Sequence, residues 1–323
     1  MSEDRATERI TVPPDQAGSR LDRLLTAIER VGSRSRAREL LASGKVTVDG
    51  KKATGADGGN ALAGGQVVEI AWNKPGTGRD QVRARVSIEE ANLAILYEDD
   101  HILCVDKPPG LLTDAATEEQ RRERDTVVAR LKRYLKPQGA SPFVGHRIDR
   151  DTSGVIAFAK HERAWERLRA QFHARTPERV YWAILQGVPQ PRTGLWVDDM
   201  VWDDQLLAQR PATHPEEHGV VRASAHYDVQ QVYAAGLSQV EVRLVTGRRN
   251  QIRLHAMLRR FPLLGERLYT GENHRAIGPR AERHALHARR LGFEHPITGD
   301  RVLVESPLPP DLQELVRQLG RPV

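Results

Sequence analysis

Apolar residues in the first part of the chain recur at helical spacing, with Leu21, Leu24, Leu25 and Ile28 on one face. Gly32-Ser33 interrupts that pattern, and a second helix is predicted from near Ser35, with Leu40 and Leu41 turned inward and Arg34, Arg36 and Arg38 left to solvent. Gly44 to Lys51 alternates as a strand closed by an Asp49-Gly50 turn. Periodicity then disappears: Asn73 to Arg85 is rich in glycine and charge and reads as a flexible linker, so the segments on either side are expected to move independently.

Beyond Leu93 short strands alternate irregularly with helices. Ile95 to Tyr97 and Ile102 to Val105 predict a hairpin, Val127, Val128, Leu131 and Leu135 mark one helix, and Trp165, Leu168 and Phe172 mark another. Val240, Val242 and Leu244 alternate as a half-buried strand, after which Arg249, Arg253 and Arg260 are expected on one face of a basic helix. A hairpin from Leu286 to Glu305 and a helix carrying Leu312, Leu315, Val316 and Leu319 complete the pattern, whereas residues 188 to 222 fit neither period. Hairpins outnumber strand-helix-strand units, which predicts an α+β fold with a mixed, largely antiparallel sheet. The organisation expected is a tail over residues 1 to 16, a small α+β domain over 17 to 72, a linker over 73 to 90 and a large domain over 91 to 320.

Composition adds a surface to this outline. The net charge of the 323 residues is only +6, but nine Arg or Lys face four Asp or Glu between Arg20 and Lys52, and Arg243 to Arg260 holds six arginines and no acid. Those windows exceed the whole excess, a clustering that suits a polyanion. No apolar run approaches the roughly 18 residues of a membrane span, and the single cysteine, Cys104, excludes an internal disulfide. A soluble, cytoplasmic, monomeric protein is expected.

The candidate chemistry lies in His146-Arg147-Ile148-Asp149-Arg150-Asp151-Thr152-Ser153-Gly154. Neighbouring arginines favour an ionised carboxylate, and Thr-Ser-Gly permits a tight turn before a strand from Val155 to Ala159. Alone, the run would equally suit a solvated charged loop. Three further segments accompany it: Tyr97 to Gly110 with its Lys107-Pro108-Pro109-Gly110 end, Arg179 to Gly187 around Tyr181, and Thr246-Gly247-Arg248-Arg249-Asn250-Gln251-Ile252-Arg253-Leu254-His255. In this order, over about residues 93 to 310, the four resemble the motifs of the RluA family of pseudouridine synthases. Residues 17 to 71 resemble the small RNA-binding domain of the alpha-L type.

The resemblance implies a pseudouridine synthase fold and an isomerase that breaks the bond between ribose and uracil nitrogen, turns the base and rejoins it through a ring carbon, without cofactor or metal. It selects Asp149 over its rival Asp151 as the indispensable carboxylate, Arg253 as its partner and Tyr181 as the ring against the target base. The nucleotide would be flipped out, with its phosphates held by Arg147, Arg248 and Arg249. Asn250 stands where the family has histidine and Glu266 where it has aspartate, which predicts altered RNA contacts and retained chemistry. Arg34, Arg36, Arg38 and Lys45 are the RNA contacts expected of the first domain. His284 and His287 have a His-x-x-His spacing, but on a strand they would face opposite sides, so no metal site is expected. Structured RNA is the expected partner, large-subunit ribosomal RNA above all. Transfer RNA, or a non-catalytic assembly role, is the alternative; the latter is disfavoured because a binding-only protein has no use for a pocket carboxylate that repels phosphate.

Overall fold

The computed structural model describes residues 7–28, 31–42, 44–71, 87–88, 93–115, 124–271 and 275–323, with only the backbone described at 35, 36, 39, 87 and 88. The chain divides into two compact units, Met1–Arg83 with Glu294–Val302, and Ala84–Phe293 with Leu303–Val323. The expected linker lies outside the described residues apart from 87–88. No helix among the described residues is long and apolar enough to cross a membrane.

In the first unit β1 (Thr7–Thr11), α1 (Leu21–Ala27), α2 (Arg34–Ala42), β2 (Val46–Val48), β3 (Lys51–Lys52) and β4 (Val67–Ala71) follow in order. The sheet order is β1-β4-β2-β3. Leu21, Leu24 and Leu25 of α1 pack with Leu40 and Leu41 of α2 over Val46, Val68 and Ile70, and each leucine so buried contributes about 1.5–3 kcal/mol. Asp49 and Gly50 both take positive φ (48° and 75°), the geometry that matches a two-residue turn to the twist of its strands. Residues 7–11, expected in a tail, instead pair with β4 as an edge strand. Lys45 also departs from expectation: it is 2% exposed and its ammonium pairs with Asp300 of the Glu294–Val302 segment, a position that does not offer it to RNA.

The second unit contains β5 (Ser87–Ile88), β6 (Leu93–Glu98), β7 (Ile102–Lys107), α3 (Val127–Leu135), β8 (Phe143–Val144), β9 (Ser153–Ala159), α4 (Glu162–Ala174) and β10 (Glu178–Gln186). It continues through β11 (Thr193–Asp203), β12 (Ala208–Pro211), β13 (Val221–Tyr233), β14 (Leu237–Leu244), α5 (Gln251–Leu258), β15 (Leu286–Glu294), β16 (Arg301–Glu305) and α6 (Pro310–Leu319). The sheet order is β12-β11-β13-β14-β10-β15-β9-β7-β6-β5, with β8 added at β9 and β16 at β15. β9 and β15 pair in parallel, so the sheet is mixed.

Period-two alternation on β10 decides what lies on each face of this sheet. Tyr181, Ala183 and Leu185 pack with Ile252 and Ala256 of α5, whereas Trp182 and Ile184 pack with Leu312 and Leu315 of α6. At the β9–β15 crossing Gly154 has φ 118°, and a Cβ there would lie 2.2 Å from the Ala288 carbonyl oxygen, so only glycine permits the strands to meet. Residues 188 to 222 contain the whole β11–β12 hairpin and the start of β13. The basic helix is shorter than predicted. Arg249 precedes α5 and Arg260 follows it at φ 63°, so neither shares a helical face with Arg253.

Candidate active site

Between β8 and β9 the chain makes the turn that carries Asp149, and four successive carbonyls of that turn each receive a donor. Ile148 accepts from Thr113 Oγ1 (3.2 Å), Asp149 from the Thr152 amide (3.1 Å), Arg150 from Lys107 Nζ (2.7 Å) and Asp151 from Arg283 Nη1 (2.8 Å). Lys107 is fully buried and also donates to the carbonyls of Pro108 and Leu111, both at 2.8 Å. Burial pushes its ammonium down to about 7, with Asp151 opposing that shift. Three acceptors need three N–H donors, and only the ammonium supplies them. A backbone held at every step points its one inserted side chain in one direction.

That side chain faces a cleft of about 530 Å³ lined by Ile148, Asp149, Tyr181, Asn250, Arg253 and Leu286 among others. The Asp149 side chain is 21% exposed, and its Oδ2 accepts from Asn250 Nδ2 at 2.9 Å and lies 3.7 Å from Arg253 Nη1. Asn250 occupies the left-handed region (φ 54°), which asparagine tolerates better than most side chains, immediately before α5. Its amide is therefore turned onto the carboxylate, a contact within the site that the sequence did not predict.

Arg253 leans more closely on a second acid. Its Nε and Nη2 donate to the two oxygens of Glu266 at 2.8 and 2.6 Å, in a fork matched to a fork. Burial disfavours the Glu266 carboxylate, but Arg253 and the surrounding backbone amides outweigh it and hold the group down at about 2. Glu266 thus fixes the guanidinium, and Arg253 presents its remaining Nη1 toward Asp149. Gln251 does the same for the backbone, its Oε1 accepting from Thr246 Oγ1 (2.7 Å) and the Arg248 amide (2.9 Å) while Nε2 reaches the Ser224 carbonyl (2.9 Å).

Tyr181 is 8% exposed with its ring in the core beneath the cleft. Burial pushes its phenol up to about 12, partly offset by Arg179, so it remains protonated at neutral pH. Arg147 is exposed at the rim, Arg248 is half-buried in the cleft wall, and the Arg249 guanidinium lies 4.5 Å over the Trp202 ring of β11. The hairpin that had no sequence signature therefore packs against one of the cleft-lining arginines. On α2, Arg34 and Arg38 are exposed, and the Arg36 side chain lies outside the described residues. Among the described residues no group of three or more His, Cys, Asp or Glu is disposed to hold a metal ion. The arrangement holds one carboxylate in a half-closed, arginine-rich cleft beside an aromatic ring.

Residues 101–257 match the RNA pseudouridylate synthase family, and residues 19–57 match the S4 domain. The chain is 34% identical over 324 aligned positions to ribosomal large subunit pseudouridine synthase D of Pseudomonas aeruginosa, covering 95% of each protein. It is an RluA-family pseudouridine synthase with an N-terminal S4 domain. The dual-specificity RNA pseudouridine synthase RluA of Escherichia coli is 35% identical over 68% of this chain and 94% of its own. The structure of human RNA pseudouridylate synthase domain containing 4 superposes with a TM-score of 0.56 at 22% identity over 70% of this chain and 92% of that one, which establishes the shared fold.

In this synthase several residues that hold the site had no assigned role in the sequence reading. Lys107, Gln251 and Glu266 lie within or beside motifs and Arg283 lies outside them, while His284 and His287 were expected only as structural residues of a strand. Thr152 Oγ1 hydrogen-bonds His284 Nε2 (2.9 Å) and Ser153 Oγ hydrogen-bonds His287 Nδ1 (3.0 Å). His287 Nε2 donates to the Ser306 carbonyl, which leaves Nδ1 to accept from the serine. The two imidazoles thus brace the turn from beneath.

Burial pushes both histidines down to about 4. Unfolded imidazoles take up a proton near 6.5. Between those values the unfolded chain binds more protons, so stability falls as pH drops from about 6.5 toward 4. By pH 5 the loss should be on the order of 2 kcal/mol per imidazole. Urea unfolding followed at pH 7 and pH 5 checks this: a lower midpoint at pH 5 is expected, and equal midpoints would contradict neutral, buried imidazoles.

Proposed function

We propose that the synthase isomerises uridine in large-subunit ribosomal RNA, with Asp149 acting on the flipped nucleotide, Tyr181 packing against its base and Arg253 holding the carboxylate in place. Arg147, Arg248 and Arg249 would hold flanking phosphates, and Arg34, Arg36 and Arg38 of the S4 domain would carry a second stretch of the RNA. The observation that carries this choice of RNA is the extent of the likeness. The Pseudomonas aeruginosa large-subunit enzyme matches across 95% of both chains, S4 domain included, whereas the dual-specificity enzyme matches 68% of this one. A separate basic module suits a large folded substrate because two contact surfaces raise effective concentration. Ribosome maturation would place the work in the cytoplasm.

Mapping pseudouridines in ribosomal and transfer RNA from cells with and without this chain tests the assignment. Sites absent only from large-subunit ribosomal RNA are expected in the deleted strain. A lost site in transfer RNA, with ribosomal sites intact, would overturn it.

A further inference from the structure

Arg179, two residues before Tyr181 on β10, differs from the other arginines of the cleft. It is 9% exposed and, among the described residues, pairs with no carboxylate. Nη2 reaches only the Val245 carbonyl at 3.3 Å, and Nε is buried with no acceptor. Nη1 occupies the space over Gly247, where a Cβ would stand 2.1 Å away. Arg248, the next residue, also lines the cleft and also has a buried Nε without a partner. Burial lowers the pKa of Arg179, Tyr181 opposes that shift and the nearby Arg175 adds to it.

Burying a charge without a counter-charge is costly, so a guanidinium kept at this depth implies that its partner arrives from outside. The partner is an anion: a neutral base carbonyl would accept one hydrogen bond but leave the repulsion between Arg175 and Arg179 in place. The planar fork of arginine fits two oxygens of a phosphodiester. We propose that Arg179 and Arg248 form an inner phosphate subsite that takes the RNA backbone phosphate adjoining the nucleotide held at Asp149 and Tyr181. The assignment rests on the reading of this cleft as the RNA site. It separates Arg179 from exposed rim arginines such as Arg147, which would hold flanking phosphates from the mouth of the cleft.

The test is equilibrium binding by the full chain carrying Asp149→Asn, which leaves the RNA unmodified, to a large-subunit ribosomal RNA fragment. A set of such fragments bears one neutral methylphosphonate at each position around the target in turn. Arg179→Gln should weaken binding about tenfold and flatten the salt dependence by about 0.7 per lost single-strand contact. Arg179→Lys should restore the slope but only part of the affinity. Gly247→Ala, which keeps every charge but displaces Nη1, should reproduce the weakened affinity. One methylphosphonate position should weaken the Arg179 protein about tenfold and the Arg179→Gln protein no further, which locates the phosphate.

The melting temperature separates this role from a structural one. Loss of an unpaired buried cation should leave it unchanged or raised, whereas a structural residue would lower it. Wild-type affinity and slope in Arg179→Gln, or methylphosphonate losses additive with Arg179→Gln at every position, would overturn the subsite. Full turnover by Asp149→Asn would instead overturn the active-site reading, and these binding results would stand apart from it.

Discussion

Asp149→Asn is expected to abolish isomerisation, by on the order of 10⁴-fold or more in kcat, the scale seen when a group that acts directly on the reacting atoms is removed. The substitution keeps the shape of the side chain and an oxygen to accept from Asn250, so the turn and its four carbonyl contacts remain. What is lost is the negative charge and the lone pair that a neutral amide does not offer. RNA affinity should stay within a few fold or tighten, because Asp149, the one carboxylate among the described residues lining an arginine-rich cleft, repels phosphate. Asp151→Asn is the control. Asp151 is not among the cleft-lining residues and touches the Arg283 brace through its backbone carbonyl, so turnover within about tenfold of wild type is expected. Equal losses in the two variants would remove the distinction between the carboxylates.

Lys107→Met should produce the second largest effect, through geometry alone. Methionine fills a similar space but donates nothing, which strands the carbonyls of Pro108, Leu111 and Arg150. Each stranded buried acceptor costs about 1–3 kcal/mol, partly offset because no ammonium need be desolvated. The carbonyls can regain partners only if the turn moves, and displacing a reacting group by about 1 Å costs about 100-fold in rate. A kcat reduced about 100-fold with unchanged RNA affinity is therefore expected, together with a lower melting temperature. Lys107 is fully buried and does not line the cleft, so a fall in RNA affinity with normal kcat would contradict the anchoring role.

Much of this architecture was legible in the chain because its signals were local. Leu131 and Leu135 at helical spacing and the Asp49-Gly50 turn each declare their element without help from elsewhere. The β11–β12 hairpin was not legible. Its buried Trp196, Met200 and Val201 are spaced by four and one rather than two, with half-buried Val197, Asp198 and Asp199 between the first two. Arg260 broke the predicted helical face because α5 ends at Leu258, and a residue in the left-handed region cannot extend it.

The site divides in the same way. The motif register picked out Asp149, Tyr181 and Arg253, and the structure brings all three to one cleft. The partners that fix them join at long separation: Arg283 reaches Asp151 across 132 positions, and Asn250 reaches Asp149 across 101. No periodicity encodes such pairs. Asn250 was legible only as an altered RNA contact because its left-handed backbone, which turns its amide toward the carboxylate, cannot be seen in residue order. Lys45 looked like a surface cation for the same reason, since its charge is answered by Asp300 some 250 positions away.

The most direct measurement is the release of tritium from large-subunit ribosomal RNA labelled at C5 of its uridines, followed in a single turnover with purified protein in excess. Rejoining the base through C5 expels that hydrogen, so the intact protein should release a small whole number of tritium atoms per RNA molecule and then stop. The Asp149→Asn protein, bound to the same RNA, should release none. Comparable release by both proteins, or tight binding by the intact protein with no release, would contradict an isomerase that works through the carboxylate of Asp149.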